Sequence, residues 1–190
     1  MLNIGALMGF FLLSGATMAT APASVPVAPA LPSYPVTLTA YNAVPEQTDD
    51  SPLETASGAY SNPEIIAARS QDLAKELPFG TIVELVIEGP VLSGNSCGYN
   101  IVKPIIGYRV IADTMNARYT DRIDVLFDTD SNYTLADGKV KNAGMILGIC
   151  NGITARVVGF VNLNKTSRIP KTQSELVALV NGTSKTIALK

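Results

Sequence analysis

Histidine and tryptophan are absent from the 190-residue chain, and cysteine occurs only twice. Without imidazole there is no histidine-based catalytic triad and no His-ligated zinc. Two thiols are too few for a four-cysteine zinc site. Charge is scarce as well. Only 16% of residues are charged, the net charge is −2, and no block of Lys and Arg occurs. A phosphate backbone needs clustered cations, so no nucleic-acid partner is expected. No metal and no organic cofactor is expected either. What remains for chemistry is carboxylates, hydroxyls and a lone pair of thiols.

Apolar residues are plentiful at 47%, enough for a real core in one domain with extensions. The first 21 residues read as a signal peptide or N-terminal anchor. The run "IGALMGFFLL" from Ile4 to Leu13 is apolar, and "ATA" at 19–21 offers small residues for cleavage. A buried N-terminal helix is the other reading. Export predicts a secreted or cell-envelope protein. In such an oxidising compartment Cys97 and Cys150 form either a disulfide or two buried thiols. Residues 22–35, "PASVPVAPALPSYP", hold five prolines and no charge, which describes an extended spacer. A folded module follows at 36–163, and a tail at 164–190.

Strand signals dominate the module. "VTLTAY" at 36–41 alternates, "TIVELVIE" at 81–88 is β-branched, and "YRVIAD" at 108–113, "RIDVLF" at 122–127 and "ITARVVGFV" at 153–161 continue the pattern. One helix is expected around 70–77, ending at Pro78. Another is expected at 172–182, with Thr172 and Glu175 as a capping box and Gly182 as its stop. Many short strands with little helix predict a mainly all-β protein built as a small closed barrel.

Carboxylates concentrate in "ADTMNARYTDRIDVLFDTD" at 112–130, with five aspartates. "DTDSNY" opens like a calcium loop, but Tyr133 replaces its glycine and Lys139 its closing glutamate, so a solvated turn is expected there. Asp124 is different. Ile123, Val125 and Phe127 share one strand face, while Arg122, Asp124 and Leu126 share the other. A carboxylate so placed loses solvation and its pKa rises, unless it is simply exposed or paired with Arg122 or Arg118. Asp113 ends a strand, either near Asp124 or bonded to local amides.

"ADTMNARYTDRIDVLF" resembles the signature of the three-aspartate domain family, which takes the six-stranded double-psi β-barrel fold. "LTAYNAVPEQTDDSPLETASG" at 38–58 and "IIAARSQDLAKELPFGT" at 65–81 resemble its opening segments. The family includes stationary-phase survival cell-wall enzymes, and its barrel is similar to that of membrane-bound lytic murein transglycosylase A. The resemblance implies a barrel with one or two short helices and a peptidoglycan lytic transglycosylase. Asp124 would act as the single general acid and base, leaving a 1,6-anhydro product. Asp113 would line the same groove, with Asp72 the candidate third aspartate. Thr55, Ser57, Asn116, Arg118 and Tyr41 are candidate glycan contacts, and Tyr119 a candidate stacking face. The implied partner is the peptidoglycan glycan strand, met by a bacterial monomer. The alternative is a non-catalytic module that binds peptidoglycan or another polysaccharide, or loosens the wall.

Overall fold

The computed structural model describes residues 31–88, 97–163 and 169–188. The leader at 1–21 and most of the proline-rich spacer lie outside them. Among the described residues no helix is long and apolar enough to cross a membrane.

Six strands carry the fold: β1 (Ser33–Asn42), β2 (Ile66–Arg69), β3 (Thr81–Ile87), β4 (Tyr108–Thr114), β5 (Arg122–Phe127) and β8 (Cys150–Phe160). Their hydrogen bonds run in a ring, β1-β5-β2-β4-β3-β8 and back to β1. The ring is mixed. β1 lies parallel to β5 and β2 parallel to β4, while the other four pairings are antiparallel. A separate two-stranded sheet pairs β6 (Asn132–Thr134) with β7 (Val140–Asn142). Three helices complete the molecule: α1 (Tyr99–Ile106), α2 (Ala143–Leu147) and α3 (Gln173–Ala188).

The six strands close into a barrel, as the run of short strands predicted. The double-psi assignment is not carried forward, and the expected one or two short helices are corrected: the protein is mostly β, with a mixed six-stranded closed sheet. A second small sheet, two short helices and a third helix of 16 residues accompany it. The strands with clear alternation form where the pattern placed them. The added pieces sit where the pattern is silent. β2 is four residues long and buried throughout, so it has no polar face to reveal it. α1 contains Pro104, which argues against a helix in a linear reading. The helix expected at 70–77 shrinks to a 3₁₀ turn, Gln71–Ala74. The Arg69 side chain accounts for part of this, because its Nε donates to Leu77 O at 2.9 Å and holds the segment's end against β2.

Apolar side chains fall into two clusters on the two faces of the ring. Leu38, Ala67, Val83, Ile111, Ile123 and Val125 belong to one. Ile66, Ala68, Ile82, Val110, Ala112 and Leu126 belong to the other, where Leu176 and Val180 of α3 join them. Arg109 is fully buried between layers. Its guanidinium donates to the carbonyls of Pro63, Ile66, Ile105, Ile106 and Leu126. Burial pushes its pKa down to about 9, against the pull of the Glu64 carboxylate. A planar fork with five donors satisfies this many carbonyls where a lysine would not.

Helices α1 and α2 pack closely because Gly98 has no side chain. A Cβ there would stand 2.1 Å from the Ile146 carbonyl oxygen. The same corner holds the Cys97–Cys150 disulfide, which ties the start of α1 to the start of β8.

Candidate functional site

The ring's register builds the site. Thr39 of β1 pairs with Asp124 of β5, Asp124 pairs with Ala68 of β2, and Ala68 pairs with Asp113 of β4. These four residues make one row across four strands. Strand spacing of about 4.8 Å puts the Cα atoms of the two aspartates roughly 10 Å apart, with a methyl group between them. The row lies under an open cleft of about 840 Å³. Ala40, Tyr41, Ala68, Asp113 and Asp124 line its base. The loop after β1 supplies one wall, including Gln47, Thr48, Glu54 and Thr55. Asn116, Arg118 and Tyr119 supply the other.

Asp113 is held by structural bonds. Its Oδ1 accepts from the amides of Ala56 and Thr114, at 2.9 and 2.8 Å. Its Oδ2 accepts from the Tyr41 hydroxyl at 2.9 Å. This carboxylate fastens the 53–58 loop and the β1 tyrosine to the end of β4. Burial, then the Asp113 charge, pushes the Tyr41 phenol far above its ordinary range. Tyr41 therefore stays a neutral donor.

Asp124 has the opposite character. Its Oδ1 and the Thr39 hydroxyl beside it are both shielded from solvent, and the only hydrogen bond open to them is a loose one with each other. Burial raises its pKa to about 6. The Thr39 hydroxyl and the Arg122 guanidinium pull it back in part, and Asp113 adds to the rise. A carboxyl raised this way is common to binding sites and active sites. Alone it specifies no bond to be cut.

The remaining candidates divide. Asn116, Arg118, Tyr41 and Thr55 line the cleft. Thr55 and Ser57 spend their hydroxyls locally: they bond each other at 2.9 Å, and Thr55 Oγ1 donates to Ala59 O at 3.0 Å. Asp72 is not part of the cleft lining. Its Oδ2 accepts from the Asp121 amide at 2.8 Å. Burial alone would raise it, but hydrogen bonds from Ser70 and from the amides of Asp121, Asp72 and Leu73 hold it below the usual carboxylate range. Sequence reasoning missed Thr39 as part of the aspartate row. Strand pairing, which spacing does not reveal, brings Thr39 to Asp124.

Asp113 and Asp124 thus share the base of the cleft, while the third candidate, Asp72, lies outside its lining and fixes a turn. Among the described residues no group of three or more acidic or thiol side chains gathers at metal-binding geometry. The expectation of a lytic transglycosylase, with Asp124 as sole acid and base and an anhydro product, is withdrawn. The geometry defines no particular glycosidic bond and no reaction.

The chain matches no family model and no curated protein. Membership of the three-aspartate family, and the kinship with cell-wall lyases that it implied, are therefore not carried forward.

Proposed function

We propose that the protein is a non-catalytic module that binds peptidoglycan or a related polysaccharide. The observation that carries this reading is the cleft. It is open, has a volume of about 840 Å³, and is walled by amides, hydroxyls and carboxylates, with Tyr119 among its lining residues. A sugar presents hydroxyls that both donate and accept around an apolar ring face. Mixed polar walls with an aromatic edge complement that chemistry. The apolar N-terminal run and the disulfide suit a cell-envelope or extracellular location.

Co-sedimentation with purified, insoluble peptidoglycan tests the reading. The protein should pellet with the wall in a saturable manner, and soluble chitin oligosaccharides should compete. No soluble muropeptide should appear in the supernatant after prolonged incubation. Protein that stays in the supernatant at every wall concentration would overturn the binding reading. Release of soluble fragments would overturn its non-catalytic part.

A further inference from the structure

Two cations share the ring of Tyr119, which lines the cleft together with Arg118; Arg122 reaches the ring from outside the lining residues. The guanidinium carbon of Arg118 stands 4.8 Å from the Tyr119 ring centroid, and that of Arg122 stands 4.6 Å from the same centroid. Arg118 also donates from Nη2 to the Tyr119 hydroxyl at 2.9 Å. Among the described residues neither guanidinium has an ion-pair partner. Arg122 Nε is shielded from solvent and makes no hydrogen bond. Asp124 feels the Arg122 charge but forms no hydrogen bond with it.

Such an arrangement is uneven in charge. Two positive groups held on one ring repel each other, and the ring's negative face offsets only part of the repulsion. A planar guanidinium is also the side chain best shaped for an oxyanion. The rest of the cleft is acidic, with Glu46, Asp49, Glu54, Asp113 and Asp124 along it. The field therefore runs across the cleft, from the acidic loop wall and base to the basic wall of Arg118 and Tyr119. A ligand carrying an anionic group is directed to that wall and repelled elsewhere.

Arg122 is also held in place. Asp121, just before Arg122, has φ of +48°, an unusual conformation for a residue with a side chain. Its amide is bound by Asp72 Oδ2. The Arg122 amide donates to Ser70 Oγ at 3.0 Å, and the Ser70 amide donates back to Arg122 O at 2.9 Å. Asp72 and Ser70 are thus positioning residues for the arginine, and little ordering remains to be done when a ligand arrives.

We propose that Arg118, Tyr119 and Arg122 form a subsite for a carboxylate borne by the bound glycan, such as the acid group of a lactyl-substituted sugar. The inference rests on the glycan-binding reading and assigns its polarity. The cleft prefers an amino-sugar chain with one acidic unit over a neutral one and docks the acid against the wall of Arg118 and Tyr119.

Titration calorimetry with two soluble ligands tests it: chitotetraose, which is neutral, and the same peptide-free tetrasaccharide with a single terminal N-acetylmuramic acid, which carries one free carboxylate. The acidic ligand should bind at least about tenfold more tightly at low salt, and the preference should shrink as salt screens it. Arg118→Gln and Arg122→Gln should each reduce the ratio of the two affinities by about threefold or more, with Arg122→Lys retaining part of it. Equal affinity of the parent protein for both ligands would overturn this inference alone. Binding of neither would overturn the glycan-binding reading and the inference with it. Tighter binding of a phosphorylated chito-oligosaccharide than of the carboxylated one would overturn the carboxylate assignment.

Discussion

Asp124 shows how one side chain trades stability for readiness to bind. Its carboxyl is raised to about 6 in the folded protein, against about 3.9 in an unfolded chain. Between those values the native state holds more protons than the unfolded state. Stability therefore falls as pH rises from about 4 to 6, and the cost is fully present above that window. Its size is roughly 3 kcal/mol at most, from about two pK units at 1.36 kcal/mol each. Asp124→Asn removes the charge and keeps the shape. Urea unfolding should find this variant more stable than the parent at pH 7.5 and close to it at pH 4. A variant equally destabilised at both pH values would show that the burial cost does not reside in the ionised form. Much of this residue's role was legible in the sequence. Alternation set Asp124 against Ile123, Val125 and Phe127, and those three do join one apolar cluster. Asp72 was not legible. It lies among charged and polar neighbours, and only the folded turn shows that its carboxylate serves the Asp121 amide.

Among the elements, α3 is the one whose attachment depends on a few identifiable contacts. Gln173 is the clasp. Its Nε2 donates to the carbonyls of Glu64 and Tyr108, and its Oε1 accepts from the Tyr108 amide. The space it occupies exists because residue 107 is glycine. A Cβ at Gly107 would stand 2.3 Å from Gln173 Oε1, and its φ of +56° already disfavours a side chain. Leu176 and Val180 then bury against the ring. Gln173→Ala should cost about 1–3 kcal/mol, since it leaves the partly buried Tyr108 backbone groups unpaired. Hydrogen exchange should speed up in α3 and at Tyr108 while β1 and β5 stay protected. Unchanged exchange in α3 would mean that Leu176 and Val180 alone hold the helix. Thr172 caps α3 as the sequence suggested, with its hydroxyl accepting from the Glu175 amide. The far end was misread, because the helix continues past Gly182 to Ala188. A glycine lowers helix propensity by only about 1 kcal/mol and does not by itself force a stop. The loop-like stretch before β4 hid α1 for the converse reason, since Pro104 masked a helix whose Tyr99, Val102 and Ile106 are buried.

At the scale of the whole molecule, the ring is made by pairings between distant segments. β1 meets β5 across roughly 80 residues of chain, and β8 returns to close on both β1 and β3. Such pairings leave no mark in local spacing, which is why single strands could be read and their order could not. A chain closed by distant contacts loses much conformational freedom on folding, and a covalent link between distant points reduces that loss. Cys97 and Cys150 are 53 residues apart in sequence. In the chain-entropy account, closing a loop of that size stabilises by about 4 kcal/mol. The link is also well placed. Cys150 is fully buried at the start of β8 and registers against Leu38 of β1, so the bond anchors α1 to the seam where the ring closes. α1 keeps a second tether when the bond is cut, because the Tyr99 hydroxyl donates to Leu85 O at 2.6 Å. The paired Cys97→Ser, Cys150→Ser variant should therefore fold to the same ring, with a melting temperature lower by roughly 8–16 °C, given about 2–4 °C per kcal/mol for a protein of this size. A reducing agent should lower the parent's melting temperature by a similar amount and leave the variant unaffected. If the parent melts at the same temperature with its thiols demonstrably free, the loop is already restrained in the unfolded chain and the bond contributes nothing to holding the seam.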